Sequence, residues 1–172
     1  MTRVMAKTSE CFNLLGNDEC EYSIEIHPAG VSAQRISRLR ELGFNRLSMG
    51  IQNFEPSVQQ AVNRFNSLAE VERLMVAIRG DNFRSVSIDL TYGLPRQTAE
   101  SFARTLQYVI DLSPDRLSLF NYAHMPHLFK TQKQINANEL PEPQEKLTIL
   151  NQSVDQLLSF GYVYIAGLWT DF

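Results

Sequence analysis

Glu25, Gln52 and Asp89 are the side chains in this sequence best suited to hold a ligand. Each ends, or nearly ends, a short run in which small polar residues alternate with apolar ones. Ser23, Glu25 and His27 oppose Tyr22, Ile24 and Ile26; Ser48, Gly50 and Gln52 oppose Leu47, Met49 and Ile51; Ser85, Ser87, Asp89 and Thr91 oppose Val86, Ile88 and Leu90. A period of two places each set on one face of a strand. The apolar faces must meet helices, so the polar faces line a common interior that is hydrated or filled by a ligand. A carboxylate there must find partners, because a buried unpaired charge is costly. Carboxylates accept hydrogen bonds from hydroxyls and amines, and Gln both donates and accepts. Each residue alone also fits a plainer role, tied to a neighbouring loop. Three on successive strands point to a site.

Other candidate chemistry is thinner. Cys11 and Cys20 are the only cysteines. They read as two reduced thiols or as half of a metal site completed by a distant His. His124 and His127 stand at i, i+3, but Pro126 between them opposes the helix that would align them. No metal site and no catalytic residue is assigned on these grounds. The sequence has no GxGxxG after a strand, no P-loop and no GxSxG elbow, so phosphate cradles and a serine nucleophile lack their motifs. Glu25 and Asp89 as an acid–base pair would stand without a His or Lys on the strand ends.

The elements that must position these residues alternate along the chain. Strand candidates are Glu21–His27, Arg46–Gln52, Ser85–Tyr92, Arg116–Tyr122 and Gly161–Ile165. Ile36, Leu39 and Leu42 keep helical spacing up to Gly43, a natural helix stop. A short helix is expected from Pro56, carrying Val58 and Val62. Ser67 and Glu70 have capping-box spacing before a helix with Leu68, Val71, Met75 and Ile78 inward. Thr98 can cap a helix with Phe102, Leu106 and Val109 inward, closed by Ser113-Pro114. Pro143 suits the start of a helix burying Leu147, Leu150, Val154 and Leu157. Strand and helix in alternation predict an α/β fold with a parallel sheet, and the polar strand faces favour a (βα) barrel or partial barrel with sites at the carboxyl ends. The long connection Tyr122–Glu142 reads as a solvated surface loop or as a lid whose Lys130 and Lys133 meet an anionic substrate.

Composition narrows the partners. Sixteen Lys plus Arg against nineteen Asp plus Glu give a net charge of −3, so no nucleic-acid footprint is expected. The longest apolar stretch, Tyr162–Trp169, is too short to cross a membrane, and the first residues lack the apolar segment of a signal peptide. A cytoplasmic chain without a membrane partner is expected.

Gly43-Phe44-Asn45-Arg46-Leu47-Ser48-Met49-Gly50-Ile51-Gln52 and Asp89-Leu90-Thr91-Tyr92-Gly93-Leu94-Pro95-Arg96-Gln97-Thr98 resemble hallmarks of radical S-adenosylmethionine enzymes of the coproporphyrinogen group. Ser23–Pro28, Val62–Arg64 and Pro114–His124 extend the resemblance to the oxygen-independent coproporphyrinogen III dehydrogenase (oxidase) family. It runs from about Glu21 to Gly161. The resemblance implies a six-unit (βα) partial barrel, of which this chain would carry about the last four strands. It further implies decarboxylation of two propionates of coproporphyrinogen III to vinyls in haem biosynthesis, with S-adenosylmethionine cleaved at a [4Fe-4S] cluster. By resemblance Glu25 contacts the cluster-bound S-adenosylmethionine, while Gln52, Arg64, Asp89 and Ala123 contact a second one.

The departures from that family are as informative. Its CxxxCxxC cluster loop and its Gly-rich second-strand motif are absent, and the sequence ends Gly167-Leu168-Trp169-Thr170-Asp171-Phe172 where the family continues Gly-Met-Asp-His-Phe. The expectation is an internal fragment: residues 1–20 a remnant of a preceding helix and loop, residues 21–172 a partial barrel, inactive alone. An alternative is a non-catalytic remnant that binds S-adenosylmethionine or a tetrapyrrole. Either way the Glu21–His27 edge would be unpaired and open to self-association.

Overall fold

The computed structural model describes residues 2–15 and 20–165. Six α-helices and four strands follow in the order α1 (Thr2–Cys11), β1 (Ser23–Ile26), α2 (Ala33–Glu41), β2 (Arg46–Gln52), α3 (Pro56–Val62), α4 (Leu68–Gly80), β3 (Ser85–Tyr92), α5 (Ala99–Asp111), β4 (Arg116–Asn121) and α6 (Pro143–Ser159). The strands form one sheet in sequence order, β1-β2-β3-β4. β1 and β2 run parallel, with Ile24 opposite Leu47 and Glu25 opposite Ser48. Sequential strands joined by helical crossovers give the α/β architecture that the alternation predicts.

The chain divides into two compact units. The first comprises Met1–Ile51, Asn66–Leu90 and Pro114–Ser118. Its core is the apolar strand faces, Leu47, Met49, Ile51, Val86, Ile88 and Leu90, together with Ile36 of α2 and Val71, Leu74, Met75 and Ile78 of α4, all fully or nearly buried. Helices α2 and α4 pack on one another. Burying each such side chain is worth about 1.5–3 kcal/mol. Asn45, fully buried, organises the entry to β1: its Oδ1 accepts from the Tyr22 amide at 2.9 Å and its Nδ2 donates to the Cys20 carbonyl at 2.7 Å. Asp115 does the same for β3, accepting from the Val86 amide at 2.7 Å.

The second unit comprises Gln52–Phe65, Thr91–Ser113 and Leu119–Phe172. Phe102, Leu106 and Val109 of α5, Val58 of α3 and Ile149 of α6 form its core, and α5 packs along α6. Thr98 caps α5 in a reciprocal box with Ser101, as its position before the apolar stripe predicts.

Three expectations are corrected. Ser67 precedes α4 as foreseen but makes no side-chain cap; the Glu70 and Val71 amides bond its carbonyl instead. α6 buries Ile149 and Ser153, while Leu147 is half exposed, because the apolar arc spans about half the helix circumference and packing buries its Ile149 edge. Gly161–Ile165 is not a strand. The amides of Phe160, Gly161 and Tyr162 turn back to carbonyls of α6, and Val163 and Ile165, 81% and 88% exposed, find no face to bury against. The departing sequence Gly167–Phe172 lies outside the described residues.

Candidate functional site

Glu25 and Asp89 both belong to the first unit. Glu25 sits one residue from the end of β1, exposed, and Asp89 lies on β3 half-buried. They are close enough to interact. Burial pushes the Asp89 carboxyl above its ordinary value; the Ser118 hydroxyl that donates to it opposes the shift, the Glu25 carboxylate adds to it, and the Ser87 hydroxyl opposes it again. Alternation along the strands is what places these groups together: Ser23 and Glu25 on one face of β1, and Ser87 and Asp89 on one face of β3. The result is a pair of acceptors flanked by hydroxyls, a surface suited to donors such as the hydroxyls of a sugar.

Gln52, Arg64 and Ala123 belong to the second unit. Gln52 ends β2 with φ at +71°, a left-handed backbone that non-glycine residues seldom adopt, and its Oε1 takes a hydrogen bond from the Thr91 hydroxyl. With its oxygen engaged, the amide presents its NH2 as a donor. Arg64 follows α3 and is half-buried; the helix end is closed by Asn63 at φ +50° and by the Arg64 amide on the Gln59 carbonyl at 3.0 Å. Ala123 is exposed just after β4, and its carbonyl accepts from Gln132 Nε2 at 3.0 Å.

Several supporting residues escaped the sequence reading. Gln97, 2% exposed, builds the turn that leaves β3: Oε1 accepts from the amides of Gly93 at 2.6 Å and Leu94 at 3.3 Å, and Nε2 donates to the Thr91 carbonyl at 3.1 Å. Thr91 is thereby held where its hydroxyl meets Gln52. Gly93 adopts φ +82° in that turn. The connection after β4 contains two short 3-10 helices, Lys130–Gln134 and Ala137–Glu139, so it is not an unstructured loop. It is tied down at both ends. Gln132 also receives the Met125 amide, and Glu139 forms a two-pronged pair with Arg96, whose amide donates to the Glu139 carbonyl at 2.7 Å. The Tyr122 hydroxyl meets His124 Nδ1 at 3.1 Å, while Lys130 and Lys133 are exposed.

A [4Fe-4S] cluster is held by thiolates. Cys11 ends α1 and is exposed, and Cys20 is half-buried ahead of β1. Among the described residues no three His, Cys, Asp or Glu side chains are grouped to hold a metal ion. These residues do not fit a cluster.

The Radical SAM superfamily model matches residues 4–109, and the chain belongs to the radical SAM superfamily. Within it the chain is 47% identical over 165 residues to the oxygen-independent coproporphyrinogen III oxidase of Pseudomonas aeruginosa, covering 96% of this chain and 36% of that protein. The Escherichia coli enzyme of the same name is 45% identical over the same share of each. The solved structure of the E. coli enzyme, described as coproporphyrinogen III oxidase (HemN) and a radical SAM enzyme, superposes with a TM-score of 0.89 at 45% identity, over 94% of this chain and 37% of that one. A radical S-adenosylmethionine methyltransferase from Kitasatospora setae, TsrM, shares the fold at a TM-score of 0.59 and 12% identity. The family resemblance read from the motifs therefore holds, and the chain spans about a third of the length of the curated relatives it matches.

Proposed function

We propose that this chain is the S-adenosylmethionine-facing part of a coproporphyrinogen III dehydrogenase, whose whole reaction turns two propionates of coproporphyrinogen III into vinyls. The observation that carries this reading is the 45–47% identity with coproporphyrinogen III oxidases across nearly the whole chain. The residues suit the cofactor in kind. Glu25 would accept from the cluster-bound S-adenosylmethionine and Asp89 from a ribose hydroxyl of the second one. Gln52 would donate through its amide, and the Arg64 fork would pair with a methionyl carboxylate. Ala123 would contribute its backbone after β4. Residues 1–20 and 21–172 would serve as lead-in and partial barrel, in the cytoplasm; no described helix is long and apolar enough to cross a membrane. β1, at one edge of the sheet, would offer a route to self-association.

A second reading has one observation in its favour. The described residues lack a cluster's ligands, which suits a module that binds S-adenosylmethionine or a tetrapyrrole without chemistry. A chimera separates the two. Residues 1–165 replace the aligned segment of the E. coli enzyme, and anaerobic conversion of coproporphyrinogen III is followed by porphyrin fluorescence after oxidation. Product formation within about tenfold of the parent is expected. A folded chimera that carries the cluster and cleaves S-adenosylmethionine, yet leaves coproporphyrinogen III untouched, would overturn the proposed substrate.

A further inference from the structure

In the second unit α6 sends Lys146 across the turn that leaves β3. The side chain passes so close to Gly93 that a Cβ at that position would lie 2.9 Å from Cε and 3.2 Å from Nζ of Lys146. Nζ donates to the carbonyl of Tyr122, just after β4, at 3.2 Å. A half-buried lysine is thus held over the carboxyl ends of two strands, its stem lying in the space that glycine leaves open at residue 93.

No described anion accompanies that cation. Glu145 accepts from the Ala99 amide at 2.7 Å, Glu139 pairs with Arg96, and Glu142, one turn before Lys146, is exposed and makes no side-chain cap. Among the described residues no carboxylate lies within ion-pair distance of Lys146. The Tyr122 carbonyl takes one of three ammonium donors and leaves two. Tyr92, which precedes Gly93, and Tyr122 itself bring no acid.

We infer that Lys146 binds a carboxylate of the ligand held at these strand ends. The inference rests on the function proposed above and adds to it a residue with a stated role. Two sources supply such a carboxylate: the amino-acid end of S-adenosylmethionine and a propionate of the tetrapyrrole. A structural clamp would need only a hydrogen-bond donor to Tyr122; a carboxylate site needs the charge.

The variant K146Q separates these roles, because its amide still reaches a carbonyl acceptor and carries no charge. The purified chain and K146Q are each titrated by calorimetry with two pairs of ligands: S-adenosylmethionine and its decarboxylated form, and coproporphyrin III and its tetramethyl ester. K146Q is expected to weaken the carboxylated member of one pair about tenfold, the scale of a charge-assisted hydrogen bond, and to leave its carboxylate-free counterpart unchanged. The pair that responds identifies the source. Equal affinities in both proteins, or an equal loss for both members of a pair, would overturn the inference and leave the functional reading standing. If none of the four ligands binds the unmodified chain, that reading fails as well. Should K146Q not fold, K146M, which keeps an unbranched stem without the charge, takes its place with the same expected and overturning results.

Discussion

Replacing Gln97 tests whether a single buried amide builds the turn on which Thr91 and Gln52 depend. Its side chain satisfies the Gly93 amide at 2.6 Å, the Thr91 carbonyl at 3.1 Å and, at a longer 3.3 Å, the Leu94 amide. At 2% exposure the site gives water little access. Q97A orphans two well-bonded backbone groups and one weakly bonded group. At roughly 1–3 kcal/mol for each orphaned group, reduced where the turn relaxes, the loss is expected to be about 2–4 kcal/mol. For a chain of this size that lowers Tm by roughly 5–15 °C. Urea unfolding followed by circular dichroism should show a lower midpoint with an unchanged slope. Q97M supplies the control, since it conserves volume and removes the bonds. It should fall within about 1 kcal/mol of Q97A, because the missing bonds outweigh the missing atoms. A Q97M protein as stable as the original would refute the reasoning, since packing alone would then explain the residue.

Two other perturbations follow from the site. Asp89 is held above its ordinary value by burial, so its protonated form favours the fold: this contribution is present below about 3.8 and is lost as pH rises through the higher folded value. D89N should therefore melt above the original chain at pH 7, with the gap closing toward pH 4; a gap that stays constant with pH would remove the titration argument. The Arg96–Glu139 pair ties down the connection after β4, and E139A should speed tryptic cleavage at Lys130 and Lys133 severalfold while cleavage at Arg116 in β4 stays slow. The Arg96 guanidinium, by hydrogen bond and charge, holds the Glu139 carboxyl below the usual range, so the tie is complete above about 4.5 and is lost only as pH falls through the lowered value. Unchanged cleavage in E139A would show that Gln132 suffices to hold the segment.

Where one face of an element is buried, the sequence discloses it. The alternation in β2 and β3 identified both the core face and the polar face; Asp89 followed from that period, and Glu25 from the same period in β1. The helix from Thr98 was equally plain, because its apolar stripe is narrow. α6 was not, since Leu147, Leu150, Val154 and Leu158 form one apolar stripe while packing buries Ile149 at the far edge of the apolar arc. Local chemistry also misled in one place. Ser67 and Glu70 have the spacing of a capping box, yet Ser67 acts through its carbonyl, while Thr98 with Ser101 makes the box. Arg64 and Ala123 lie after a helix and after a strand, outside any period, and motif resemblance alone pointed to them. Lys146 had no signal at all: it is one half-buried cation on α6, and the space it fills is left by Gly93, some fifty residues earlier in the chain.

The hydrogen bonds already made inside each unit determine what each can still offer a ligand. In the first unit Asp89 is approached by hydroxyls from Ser87 and Ser118 and faces Glu25, so the remaining capacity is that of acceptors. In the second unit the Gln52 oxygen is occupied by Thr91, and Lys146 has donors left after Tyr122. Its free capacity is that of donors, one of them charged. A ligand group for the first set must therefore bring donors such as hydroxyls, and one for the second set must bring a carboxylate or other acceptors. S-adenosylmethionine has a ribose diol and an amino-acid carboxylate separated by the sulfonium. A carboxylated tetrapyrrole has no sugar hydroxyls and would satisfy only the donors. That difference predicts an order of consequences: D89N should weaken S-adenosylmethionine and spare coproporphyrin III. A variant that weakened both ligands equally would mean that Asp89 acts through the fold and not through the ribose.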